Sequence, residues 1–339
     1  MVFLCRYGSE LWMFDCGEGT QTQLMKSPLK AGKVNRIFIT HLHGDHMYGI
    51  TGLLCTISQS NQREAPVSIY GPLGLAKYLR VALGLSRSDL MFRFRVIEMI
   101  PTADMYTEDD SKLCNVPEDD VTDRHPCEDE GLRVAAQMKE GVPYWTLIDD
   151  GPLKVTAGRL EHRIPSFGFI MEEEAQMGKF IVEKLESFGL SRGPVCQQLM
   201  SGHTVTSPTG AKVTKSDVTG PDVPGRKVVI CGDSNNSSYL APLVQNVDVF
   251  VHETTLENSL EETAVERGHS TPQMTAKFAK QLNARLLIIT HFSQRYTMSS
   301  RKPTDSYTVE DLLRETRDSF GENCEAADDL KLFKIKVNQ

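Results

Sequence analysis

Arg36-Ile37-Phe38-Ile39-Thr40-His41-Leu42-His43-Gly44-Asp45-His46 is the stretch that decides how this chain is read. A short apolar run, which reads as a strand over 36–40, ends in three imidazoles and one carboxylate within six residues. Histidine nitrogens and carboxylate oxygens are ligands that divalent zinc accepts. In an extended or tightly turned backbone, residues two apart face the same side. His41 and His43 can therefore grip one ion while Asp45 and His46 reach a second. A structural zinc site is closed by four protein ligands, whereas ions left short of ligands suit metal-assisted hydrolysis.

Such a site needs further ligands, one of them shared. His162 follows Leu160. Asp233 follows the run Val228-Val229-Ile230-Cys231-Gly232, and His291 follows Leu286-Leu287-Ile288-Ile289-Thr290. Short continuous apolar runs of this kind are the mark of buried strands. A ligand just past such a strand sits at the rim of a sheet, where substrates enter.

Seven segments occur together along the chain: Phe14-Asp15-Cys16-Gly17-Glu18-Gly19-Thr20-Gln21; Thr40 to His46 followed by Gly52-Leu53-Leu54; His162-Arg163-Ile164-Pro165-Ser166-Phe167-Gly168; Gly232-Asp233-Ser234; His252-Glu253-Thr254-Thr255; Gly268-His269-Ser270-Thr271; and Thr290-His291-Phe292-Ser293-Gln294-Arg295-Tyr296. In this order they resemble the metallo-β-lactamase-fold hydrolases, and more narrowly the short-form tRNase Z enzymes of the ELAC type. The resemblance implies an α/β fold: an αββα four-layer sandwich with an inserted protruding arm. It implies two zinc ions per chain, the first held by His41, His43 and His162, the second by Asp45, His46 and His291, with Asp233 shared. It implies Asp45 as proton acceptor, His269 as proton donor oriented by Glu253, and Arg295 on the scissile phosphate. Paired cations lower the pKa of a bound water to about 7. The implied reaction removes the 3′ trailer from a tRNA precursor, leaving a 3′-hydroxyl on the tRNA and a 5′-phosphate on the trailer. It implies a homodimer. Asp15 reads as an acceptor that fixes the tautomer of a ligand imidazole. Such enzymes open with a further strand and a glycine-rich loop, and here nothing precedes Met1, so the first strand is expected to be missing.

The 339 residues suit a single domain, 1–339, bearing insertions. A net charge of −8 argues against a protein that coats nucleic acid, DNA included, without specificity. No apolar run reaches the length of a membrane span. No secretory signal pattern opens the chain, and the eight cysteines include no CxxC pair, which suits free thiols in a reducing, intracellular compartment, cytoplasmic or nuclear.

Residues 2–4 and 11–14 read as a hairpin around Gly8-Ser9. Helices are expected over 51–58, 72–83 and 271–279, and strands over 67–70, 247–251 and 284–290. Residues 102–131 are crowded with Asp and Glu and interrupted by Pro117 and Pro126, so they read as a mobile acidic surface insertion. Residues 172–222 leave and re-enter the domain between His162 and Asp233. They resemble the arm that holds the tRNA elbow, with a short helix over 180–190 and Lys179, Lys184, Arg192, Lys212 and Lys215 for phosphate contacts. Ser270-Thr271 reads as a cap on the helix that starts at Pro272 and as a place near phosphate. His125 and His203 read as structural residues. Two competing functions keep parts of this reading: a hydrolase of a thioester or small phosphodiester on the same fold, and a catalytically dead RNA-binding scaffold. Burying carboxylates without a cation is costly, which speaks against the scaffold.

Overall fold

The computed structural model describes residues 3–7, 10–60, 63–106, 123–297 and 307–335, with side chains described from residue 10 onward and not at 60. The Gly8-Ser9 turn therefore lies outside the described residues, as do 107–122 of the acidic insertion.

Alternation of strand and helix builds the first half. β1 (Phe3–Tyr7) and β2 (Glu10–Phe14) pair antiparallel. There follow α1 (Thr20–Lys26), β3 (Val34–Phe38), α2 (Gly44–Met47), α3 (Ile50–Ser60), β4 (Val67–Pro72), α4 (Leu75–Leu85), β5 (Phe94–Met99) and β6 (Leu132–Val134). These strands form a six-stranded sheet in sequence order, parallel from β2 to β6. The second half starts as a meander of β7 (Gln137–Lys139), β8 (Val142–Asp149), β9 (Leu153–Leu160) and β10 (Ser166–Glu173). An inserted unit carries α5 (Val182–Ser187), α6 (Pro194–Met200), β11 (Val205–Thr206), β12 (Lys212–Val213) and α7 (Lys215–Val218). The chain then continues through β13 (Lys227–Cys231), β14 (Val249–Glu253), α8 (Glu261–Glu266), α9 (Pro272–Gln281), β15 (Leu286–Thr290), α10 (Val309–Phe320) and β16 (Cys324–Ala326). The second sheet has eight strands in the order β16-β15-β14-β13-β10-β9-β8-β7.

The inner faces of the two sheets meet through aromatic rings. Phe38 stacks on Phe14 at 4.8 Å and on Tyr70 at 4.6 Å, and meets Phe169 of the second sheet edge-on at 5.2 Å. Outside the first sheet, α1, α3 and α4 bury Leu24, Leu53, Leu54, Leu75, Leu79 and Leu83. Outside the second, α9 and α10 cover it with Phe278, Leu282, Leu313 and Phe320. The four layers of the metallo-β-lactamase fold are thus in place. Phe38 is the last residue of β3, fully buried one turn before His41, so Phe38→Ala would cost about 3–5 kcal/mol directly beneath the ligand loop.

The helix expected over 72–83 starts three residues later, because Val67–Pro72 continues as a buried strand and Gly74, at φ +106°, makes the turn. Its buried stripe is Leu75, Leu79 and Leu83, the face that the spacing gives. The acidic insertion differs from its expectation at its described ends. Glu128 is buried, and Arg80 of α4 grips it with both Nε and Nη2. Residues 123–131 are therefore anchored, since a buried ion pair holds only while both partners stay.

Contacts divide the chain into two compact units, the larger one made of both sheets and their helices, the smaller one built on Glu172–Arg226. The smaller unit has its own core of Leu185, Leu190, Leu199, Val213 and Val218. Its first helix is shorter than expected, ending at Ser187 ahead of Gly189 at φ +70°. Pro194 opens α6, and a reciprocal Thr214–Asp217 capping box opens α7.

Candidate metal centre

β3, β9, β13, β14 and β15 all end toward one rim, and each delivers a polar residue there. The chain past β3 reaches His43, extended at φ −67° and ψ 149°, which caps the single turn of α2 that carries Asp45 and His46. Backbone bonds fix this loop against the one after β2: Cys16 donates its amide to the His46 carbonyl at 2.6 Å, and Gly49 donates to the Cys16 carbonyl at 2.8 Å. The approach demands glycine. A Cβ at Gly17 would lie 2.1 Å from the Asp45 carbonyl oxygen. Asp15 just before it takes a left-handed φ of 60°.

Three overlapping groups of side chains hold their donor atoms within 4.8 Å of one another: His41, His43, His162 and Asp233; Asp45, His46 and His291; and Asp233, His269 and His291. His41 Nε2 and His162 Nε2 lie 3.0 and 3.2 Å from His43 Nδ1. The two oxygens of Asp233 face different groups. Oδ2 lies 3.8 Å from His41 Nε2, while Oδ1 lies 3.3 Å from His46 Nε2 and 3.5 Å from His291 Nε2. Asp45 Oδ2 lies 3.4 Å from both His46 Nε2 and His291 Nε2. The structure thus brings together all seven residues that the sequence singles out as ligands.

The donor set fits divalent cations. His46 Nε2 and Asp233 Oδ1 are buried without a hydrogen-bond partner, although they face each other. Orphaned buried polar atoms are rare because each carries its full desolvation penalty. A cation between them would satisfy both, with nitrogen and oxygen ligands of the type zinc accepts.

The outer nitrogens of the ligand rings are also engaged. His46 Nδ1 lies 2.6 Å from Asp15 Oδ2, and His41 Nδ1 lies 3.0 Å from Thr40 Oγ1. Thr40 itself donates its amide (2.8 Å) and hydroxyl (3.0 Å) to Asp15. His162 Nδ1 donates to the Gly268 carbonyl at 2.6 Å, and His291 Nδ1 lies 3.0 Å from Thr255 Oγ1. Such partners orient ligand rings and set their tautomers.

Charge states follow from the same packing. Burial holds His41 well below the ordinary imidazole range and lowers His162 to about 4. The imidazoles of His291 and His46, each with Nε2 3.4 Å away, hold Asp45 far below the ordinary carboxylate range. Burial would raise Asp233, but the surrounding imidazoles, His291 foremost, pull it well down. Burial would also lower His46, yet the carboxylates of Asp15, Asp233 and Asp45 outweigh it and push it up to about 12. Ionised carboxylates and neutral imidazoles are the ligand forms, and metal binding displaces a proton such as the one His46 holds.

Glu253, 1 % exposed at the end of β14, is the hub of the remaining contacts. It accepts the amides of Ser234 (2.7 Å) and Ser270 (3.1 Å), the Thr255 hydroxyl, and His269 Nδ1 at 3.0 Å. Burial would lower His269, but the Glu253 carboxylate reverses that and raises it. Arg295 is exposed four residues past His291, and among the described residues its guanidinium makes no ion pair or hydrogen bond. The capping expected of Ser270-Thr271 is absent. Thr271 makes no side-chain cap on α9, and the Ser270 hydroxyl donates to the Ser234 carbonyl at 2.6 Å. In the smaller unit, Lys184 is engaged internally, its Nζ donating to the Thr219 carbonyl at 2.8 Å. His125 bonds the Ser88 carbonyl at 2.9 Å, away from the cluster. Thr255 and the Gly268 carbonyl escape sequence reasoning, because only the folded backbone shows which ring they meet.

A family model described as anti-Pycsar protein Apyc1 matches residues 2–87. The zinc phosphodiesterase ELAC protein 1 of Bos taurus is 44% identical over 301 residues, 87% of this chain and 82% of the relative. A ribonuclease Z of Prochlorococcus marinus is 35% identical over 328 residues, 97% of this chain and 91% of the relative. Among solved structures, human tRNase Z, short form, matches with a TM-score of 0.66 at 33% identity, covering 99% of this chain and 93% of that one.

Proposed function

Because the chain belongs to the ELAC-type zinc phosphodiesterases, the short-form tRNase Z family, we propose that its His/Asp cluster is a two-zinc centre cutting precursor tRNA at the trailer boundary. The protein is a hydrolytic endoribonuclease of tRNA 3′ processing. The observation that supports this assignment of residues is the sharing of Asp233 between the two ligand groups, one oxygen turned to each.

His41, His43 and His162 would hold one ion, Asp45, His46 and His291 the other, and Asp233 both. Bound there, zinc supplies Lewis acidity and brings the pKa of a water to about 7. Asp45, kept ionised by its imidazole neighbours, accepts the proton of the attacking water. His269, kept protonated by Glu253, uses Nδ1 to hold that carboxylate and donates from Nε2 to the departing 3′ oxygen. The phosphorus–oxygen bond to the tRNA 3′ oxygen breaks. The tRNA keeps a 3′-hydroxyl and the trailer a 5′-phosphate. Arg295 offsets the charge growing on the phosphoryl oxygens.

The Glu172–Arg226 unit, including the 172–222 segment, is the tRNA-holding arm in this reading, with Lys179, Arg192, Lys212 and Lys215 toward phosphate and Lys184 spent on its own fold. The active assembly is a homodimer. Among the described residues no helix is long and apolar enough to cross a membrane, and the described cysteines are free. The test is cleavage of a 3′-extended precursor tRNA with and without a chelator, beside metal content and turnover of a thioester. Chelator-sensitive release of a 5′-phosphorylated trailer is expected, with about two zinc ions per chain. Undiminished cleavage by a metal-free protein refutes the assignment.

A further inference from the structure

We propose that Thr255 is a positioning residue: its hydroxyl locks the His291 ring in the tautomer zinc requires and ties that ring to Glu253, the carboxylate that also holds His269. The inference rests on the reading of the cluster as a zinc centre.

Thr255 lies two residues past the end of β14 and is 9 % exposed. Its Oγ1 lies 3.0 Å from His291 Nδ1 and 2.8 Å from the His291 carbonyl oxygen, and it donates to Glu253 Oε2. A hydroxyl has one proton and two lone pairs. Of the two acceptors, the carboxylate is the stronger because it is charged. The proton therefore belongs to Glu253, and an oxygen lone pair faces His291 Nδ1. Two lone pairs would repel, so Nδ1 carries a ring proton, which leaves Nε2 as the nitrogen for the metal. Nε2 is the nitrogen turned to Asp45 and Asp233.

The backbone holds His291 close to the same hydroxyl. His291 sits at φ 55°, a left-handed conformation that a Cβ disfavours. In it the His291 carbonyl lies 2.8 Å from Thr255 Oγ1 as a second acceptor, which the charged Glu253 outcompetes for the one proton. Thr254 cannot replace its neighbour, because its hydroxyl is spent on the Glu253 carbonyl at 2.9 Å and on Thr275 at 3.2 Å. His46, His41 and His162 lean on Asp15, Thr40 and Gly268, none of which touches the Glu253 carboxylate among the described residues. Thr255 is thus the joint between a metal ligand and the proton-donating pair.

The test compares the full chain with Thr255→Val, Thr255→Ser and His291→Ala by zinc competition against a chromophoric chelator. His291→Ala weakens zinc binding. Thr255→Val weakens it by about 10–100-fold, the range for losing the outer partner of a ligand histidine. Thr255→Ser, which keeps the hydroxyl, binds as the parent does. Parent-like affinity in Thr255→Val overturns this inference and leaves the zinc centre standing, whereas parent-like affinity in His291→Ala overturns the zinc centre itself. Should the valine variant not fold, the imidazole ¹⁵N shifts of metal-free parent protein decide: a proton on Nδ1 of His291 upholds the inference, and an Nδ1 without one refutes it.

Discussion

Side chains reach the metal cluster from positions 41 to 291, whereas the core of the smaller unit is drawn from positions 185 to 218 alone. The cluster depends on two sheets and on loops that touch across long sequence separations, such as His162 on Gly268 and His291 on Asp45. The smaller unit depends on neighbours: a proline-started helix, a two-residue hairpin pairing and a capping box. The lesson is one of separability. Chemistry spread through the whole domain cannot be altered without touching the fold, while a locally encoded unit can be changed by itself.

The sharpest way to break that contrast is at Asp45. Asp45→Ala removes the proposed ligand and proton acceptor, and cleavage of precursor tRNA should fall by about 10⁴-fold, the upper end for acid–base groups, with metal content falling too. Cleavage within tenfold of the parent would put the chemistry elsewhere. His269→Ala comes next, with kcat lower by about 10²–10⁴-fold and KM nearly unchanged. A nitrophenyl diester, whose leaving group needs no proton, should lose far less. Glu253→Gln tests the sign of the electrostatics. His269 must be protonated to donate, so the rate falls as pH rises through its raised pKa. Removing the Glu253 charge should move that fall to lower pH. A pH–rate profile that does not move shows that Glu253 does not set the protonation of His269.

Changes in the smaller unit should act on binding. Replacing 172–222 by a short linker should raise KM for precursor tRNA by about 10–100-fold, as expected for losing a few phosphate contacts, while a small diester is still hydrolysed. Equal loss of both activities would show that the unit is part of the catalytic fold. The smallest effect on chemistry is expected from Leu199→Ala. Leu199 is fully buried in the local core, and the change should destabilise that unit by about 2–5 kcal/mol. Hydrogen exchange should speed up within 172–226, with zinc content unaltered.

The residues of the cluster were legible because apolar runs announce strands and polar residues at strand ends announce a rim. Asp233 after Cys231-Gly232 and His291 after Thr290 could be picked out that way. The one-turn helix holding Asp45 and His46 was not legible, since four residues give no period to read. Acidity misled at Glu128. Composition says solvent, but its Arg80 partner is 48 residues away and buries it. Ser270 and Thr271 misled for a related reason: a hydroxyl before a proline-started helix usually caps it, and here the Ser234 carbonyl competes for the Ser270 hydroxyl. Thr254 and Thr255 are alike in sequence, yet only the strand end decides that one hydroxyl meets Thr275 and the other His291.

The span between the first and last ligand has a consequence for synthesis. On the proposed assignment, a chain still lacking Asp233 and His291 holds only His41, His43, Asp45, His46 and His162, with no shared carboxylate and only one of the two imidazoles that face Asp45. Emerging from the ribosome, it can collect a stray cation but cannot build the pair. On the proposed ligand assignment, the pair is complete only once β15, which ends just before His291, lies parallel against β14.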